Sequence, residues 1–212
     1  MATLALTLAA CLAPAAGMGR RDAAALAPEP AAVPQRWLLD VTFGPLRVAQ
    51  LDDGTGRNRA FYYFTYKAVN NTGQDVLFAP SFELSTGAGQ VVRSGRGIPS
   101  QVTQQIIERL DNPFLEDQIQ VIGQLRQGQE NAKEGVVVFE APTLQPEGLT
   151  VYAAGFSGEF VTLALPTSTG LDIDGGRATL RRTRQLVFAA VGDLSNRGDQ
   201  PIEVVEQVWI MR

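Results

Sequence analysis

The chemistry open to this chain is limited first by what it lacks. There is no His and a single Cys, Cys11, so neither Ser-His-Asp nor Cys-His machinery can form. Zinc and copper sites are poorly served for the same reason. No Ser-x-x-Lys occurs around Lys67 or Lys133. Glycoside hydrolysis needs two carboxylates facing a cleft at roughly 5–10 Å. The candidates Asp52/Asp53, Glu116/Asp117 and Glu203/Glu206 are near neighbours in loops or on strand faces. A hydrolase working on carboxylates alone is therefore the weakest of three readings, and the chain is expected not to be an enzyme. Gly54-Thr55-Gly56 and Gly95-Arg96-Gly97 lack the strand-to-helix context and the Lys of a phosphate loop. Asp172-Ile173-Asp174-Gly175-Gly176 resembles the opening of a calcium loop. Position twelve of such a loop would be Thr183 rather than an acidic residue, and the cations Arg177, Arg181 and Arg182 at positions six, ten and eleven oppose calcium, so a tight turn is the better reading and no metal or other cofactor is expected.

Two groups of residues could bind rather than react. Phe61 and Tyr63 lie on one face of the strand-like run FYYFTYKAV and could offer a platform to sugar rings. Tyr62, Phe64 and Tyr66, on the other face, read as core. The second group is Arg177, Arg181, Arg182 and Arg184. Arg182 and Arg184 share a strand face and could dock an anionic partner. The duller alternative is an edge strand protected by its charge. The net charge is −4, which argues against a nucleic-acid partner.

The elements that must position these residues are mostly strands. Period-two alternation runs through 37–43, 46–51, 61–69 and 76–82, with hairpin-type turns at Asp52–Gly56 and Asn70–Gly73. Thr86–Gly89 turns the chain into Gln90–Val92. Further strands are predicted at 135–140, 149–154, 159–165, 178–184, 185–191 and 202–211. Residues 114–122 fit either a helical turn or a strand. Val102, Ile106 and Leu110 instead recur every four residues, which predicts a short helix over 100–110 that begins near Pro99-Ser100 and ends at Asp111-Asn112-Pro113. Nine to eleven short strands in one domain, residues 37–212, point to a sandwich or barrel.

Residues 2–16, ATLALTLAACLAPAA, form an uncharged apolar run too short to span a bilayer. They read as the core of a secretory signal, so export is expected. Leu8-Ala9-Ala10-Cys11 resembles the bacterial lipobox, which would make Cys11 a lipidation site and the protein a membrane-anchored lipoprotein. Cleavage nearer Ala13–Ala16 would leave a soluble periplasmic form. Residues 17–36 are rich in Ala and Pro and read as a semi-extended linker.

The stretch FYYFTYKAVNNTGQDVLFAPSFEL, with Val121–Leu125, Gly135–Phe139 and the Trp209–Arg212 end, resembles the immunoglobulin-like extracytoplasmic domains of bacteria, many of them exported lipoproteins. The resemblance implies an all-β fold: an immunoglobulin-like antiparallel β-sandwich with the one inserted helix. It also implies an exported location and supplies no catalytic residue. The function expected first is a non-catalytic interaction or scaffold domain of the cell envelope, its partner an envelope protein or polysaccharide. The alternative is a carbohydrate-binding module using Phe61/Tyr63, or loop aromatics such as Phe114 and Phe156.

Overall fold

The computed structural model describes residues 28–33, 36–164 and 177–212. In chain order the strands before the helix are β1 (Asp40–Phe43), β2 (Arg47–Asp52), β3 (Asn58–Asn70), β4 (Val76–Phe78), β5 (Ser81–Thr86) and β6 (Val91–Arg93). The helix α1 (Ser100–Leu110) follows. After it come β7 (Leu115–Glu116), β8 (Gly123–Leu125), β9 (Gly128–Glu140), β10 (Leu149–Ala154), β11 (Phe160–Ala164), β12 (Arg177–Phe188) and β13 (Val204–Met211).

The long aromatic strand β3 organises the first sheet. It pairs with β1 and β2 on one side and β9 on the other, and β7 adds a short parallel rung to β9. The second sheet runs β11-β12-β10-β5-β6, with β13 on β12, and is antiparallel throughout. Tyr62, Phe64 and Tyr66 from the first sheet meet Phe82, Leu84, Val151, Leu186 and Phe188 from the second in one buried cluster. The rings of Phe64 and Phe82 meet edge to face at 5.7 Å, and Tyr66 and Phe82 lie 5.1 Å apart. Such pairs add about 1 kcal/mol beyond the area they bury. The architecture is the all-β sandwich expected, and no barrel closes.

The helix lies where its four-residue period places it. Val102 and Ile106 are buried and Leu110 is half-buried. Pro99 precedes it in extended backbone, and Asp111 ends it in the left-handed region (φ 48°) with its N–H bonded to Glu108 O. The helix covers part of the outer face of the first sheet, so that Ala49, Leu51, Phe61, Tyr63, Val136 and Val138 are buried on that side too.

Several strand boundaries differ from the sequence reading. The expected strand 76–82 breaks at Ala79-Pro80 into β4, which pairs with β8, and β5, which joins the second sheet. Pro80 has no N–H for a ladder, so the chain changes partners there. Residues 178–184 and 185–191, expected as two strands, form most of the single strand β12. Regular pairing of the first strand begins only at Asp40. Trp37–Leu39 instead bond the loop after β10, through Gly158 N–H to Trp37 O at 3.0 Å and Leu39 N–H to Phe156 O at 2.9 Å.

Candidate functional site

The arginines picked out by sequence lie on a central strand. β12 has β10 and β11 along one edge and β13 along the other. At Arg181, Arg182 and Arg184 both edges are therefore paired, which corrects the edge-strand expectation for those three; Arg177 lies beyond the end of β13, where only β11 flanks the strand among the described residues. Arg182 and Arg184 do share a face, and it is the inward face of Leu186 and Phe188. The register sets Arg184 opposite Trp209 and Arg182 opposite Met211. Both guanidinium carbons lie 5.1 Å from the Trp209 ring centre.

Arg182 is buried, and so is its partner Glu159, at 2.8 Å between Nη1 and Oε2. This pair grips a third element. The N–H of Ala31 donates to Glu159 Oε1 at 2.8 Å, and Arg182 Nη1 donates to Ala31 O at 3.3 Å. Both main-chain groups of one residue in the leading segment are thus held by one buried ion pair. The Ala31 bond chiefly holds the Glu159 carboxyl below its ordinary range; burial opposes this and Arg182 adds to it. Arg184 donates to Gln207 Oε1 at 3.2 Å and has no carboxylate partner among the described residues. Burial and the adjacent Arg182 push its pKa down. The Nε–H groups of both arginines have no hydrogen-bond partner among the described residues. A groove of about 580 Å³ runs beside this pair, walled by Pro28, Pro30, Arg182, Trp209, Ile210 and Met211.

Phe61 and Tyr63 are not an exposed platform. Their fractional exposures are 0% and 1%, because Val102 and Ile106 of α1 lie over them. Tyr63 presents only its hydroxyl, 3.5 Å from Asp199 Oδ1, and Arg109 of α1 holds the same carboxylate at 3.2 Å. Burial, then the Asp199 charge, raises the Tyr63 pKa. Tyr62 lies on the opposite face as expected; its hydroxyl donates to Thr143 O at 2.6 Å, and burial pushes it up to about 12. Of the loop aromatics, Phe114 is 74% exposed whereas Phe156 is in the core.

Of the three carboxylate pairs, Asp52/Asp53 and Glu116/Asp117 serve structure. Asp52 Oδ1 accepts from Gly54 and Gly56 N–H, Asp53 from Thr55, and Asp117 from Ile119 and Gln120. Glu116 pairs with Lys133 at 3.2 Å. Among the described residues no group of three or more metal-ligating side chains converges. No described helix is long and apolar enough to cross a membrane. Cys11 and the Asp172–Gly176 turn lie outside the described residues.

Sequence reasoning found Arg182 and Arg184 but missed Glu159, Ala31 and Trp209, which give them their setting. The available signal was alternation: Trp209 and Met211 share a face of the last strand, as do Arg182 and Arg184 of theirs. Which strand pairs with which, and in what register, is not in that signal. No family model matches the chain, and comparison with curated proteins and with solved structures finds no similar one.

Proposed function

We propose that the chain is a non-catalytic interaction domain of the bacterial cell envelope, exported by its leader and acting by holding extended polypeptide. The supporting observation is the grip on Ala31: Glu159 takes its N–H and Arg182 its C=O. Those groups carry no side-chain information, so the same pair suits any extended main chain. Trp209, Ile210 and Met211 supply the wall facing the Ala31 segment, whose own Pro28 and Pro30 line the other side of the groove. The charged groups here are spent on fixed hydrogen bonds, which favours holding over turnover.

Export and tethering rest on residues 2–16 and on Cys11. Mass spectrometry of the mature chain from membranes tests the tether: a lipid on Cys11 supports it, and a Cys11→Ala variant that still sediments with membranes overturns it. A photo-crosslinking residue at Ile210, on the groove wall, tests the interaction. Covalent capture of an envelope component in the native cell supports the reading. Capture of cytoplasmic proteins alone overturns it.

A further inference from the structure

The two arginines on the inward face of β12 are not equally provided for. Arg182 has Glu159, whereas Arg184 meets only a neutral acceptor, Gln207 Oε1 at 3.2 Å. The ladder explains where Arg184 sits. Arg181 and Arg212 exchange both main-chain bonds, at 2.7 and 3.0 Å, and bonded pairs alternate with non-bonded ones. Arg184 and Trp209 therefore face each other at a non-bonded pair, where side chains come closest. The ring fixes the guanidinium, whose carbon lies 5.1 Å from its centre. A guanidinium held this way is pre-oriented, and its fork matches a carboxylate through two parallel bonds.

The charge on Arg184 is also costly as it stands. The side chain is half-buried, its Nε–H is buried without a partner among the described residues, and Arg182 lies next to it on the same face. Burial and that like charge both push its pKa down. Gln207 beside it is exposed, so an anion can approach from that side. The leading segment does not supply one. Glu29, the only acid in 28–33, lines the groove but is exposed and forms no ion pair among the described residues.

We propose that Arg184 is an anion subsite of the groove and that the polypeptide held there is acidic. It takes the place of Ala31 on Glu159 and Arg182 and lays a carboxylate on Arg184. The proposal rests on the reading above and names the chemistry of the partner. Residues two apart on one strand face are separated by about 6.8 Å. A chain lying extended along β12 and gripped at one residue beside Arg182 thus brings a side chain two residues away to Arg184. The grip holds one main-chain residue, so the partner must displace Pro28–Ala32. That segment is an internal occupant which satisfies the main-chain bonds and leaves the charge unmet. Charge complementarity therefore favours an acidic partner over the chain's own leader.

Trp209 reports on the site directly. The chain has two Trp, so in a full-length Trp37→Phe background Trp209 is the only indole. The probes are two blocked octapeptides, one of alternating Ala and Glu, the other of alternating Ala and Gln. Each offers its polar side chain at every second residue, whichever way it runs. The Glu peptide should change Trp209 fluorescence saturably. The Gln peptide should bind at least about tenfold more weakly, the worth of one charge-assisted bond. Arg184→Met should abolish that preference. Gln207→Glu should abolish it as well, because it gives Arg184 a carboxylate of its own at an exposed position, and it serves if Arg184→Met fails to fold. Ala31→Pro removes the N–H that Glu159 accepts, so it should tighten the Glu peptide at least about threefold by releasing the internal occupant. Equal binding of the two peptides, a preference that survives Gln207→Glu, or no tightening in Ala31→Pro overturns the proposal. So does a stronger Trp209 response to phosphatidylglycerol vesicles than to either peptide. Binding of neither peptide, while Ile210 still captures an envelope component, overturns the acidic partner and leaves the interaction reading in place.

Discussion

Removing Arg182 alone should cost far more than removing it together with Glu159. The pair is at 2.8 Å, and both side chains are more than nine-tenths buried. An exposed pair would contribute under about 1 kcal/mol. Breaking a buried one by truncating a single partner costs about 3–5 kcal/mol, because a desolvated charge is left behind. Arg182→Met keeps most of the apolar stem, so its deficit reports mainly the abandoned Glu159 carboxylate. In the double variant Arg182→Met/Glu159→Leu that charge is gone, and what is lost is the bonds to Ala31 and the Arg182 contact with the Trp209 ring. We expect the single variant near the upper figure and the double at least about 2 kcal/mol less destabilised than the two singles summed. Urea unfolding of the full chain, followed by far-ultraviolet circular dichroism, measures this. Acidity gives a second readout. In the wild type the Glu159 carboxyl is held below its ordinary value, so its contribution is present above about pH 4.3 and is lost as pH falls through the folded value. Arg182→Met removes that support, so the gap between variant and wild type should close as the solution is made acidic. Additive singles, or a gap that widens in acid, would refute the reasoning.

Other outcomes follow from the core. Ile106→Ala should cost about 2–5 kcal/mol in thermal or urea unfolding, since Ile106 is fully buried between α1 and the first sheet. The same change should make Tyr63 accessible to iodination, which it is not in the wild type. Gly135→Ala should cost about 1–3 kcal/mol by chemical denaturation, because the new methyl would meet the Tyr66 ring at 2.5 Å. Tyr62 is raised to about 12, so its neutral form stabilises the fold fully below pH 10 and the contribution is lost as pH rises through 12. That loss is on the order of 3 kcal/mol; alkaline titration of stability should show it, and Tyr62→Phe should flatten the curve.

Local signals served the fold well. The four-residue spacing of Val102, Ile106 and Leu110 located the helix, and alternation located β10 to the residue. What failed was the inference from one-sided alternation to exposure. Phe61 and Tyr63 alternate with core residues as a half-buried strand should, and nothing near them in sequence indicates the helix some forty residues on that covers them. Pro80 carried a readable warning that 76–82 was not one strand. The binding pair was legible by face but not by setting. Arg184 finds Trp209 only through the register of β12 on β13, and Arg182 finds Glu159 and Ala31 through contacts of 23 and 151 residues' separation. Such pairings are fixed by tertiary packing, which a single sequence does not encode locally.

The attachment of Ala31 also has a mechanical side. Tension drawn along the chain from ahead of Pro28 reaches the sandwich first at the Glu159–Arg182 grip, and next at the bonds joining Trp37 and Leu39 to Gly158 and Phe156. These links stand one after another along the pulling line, so they would yield in sequence before load reaches β3. A chain hung by its leader would thus have a sacrificial first stage, lengthening by a few residues while the aromatic core stays whole.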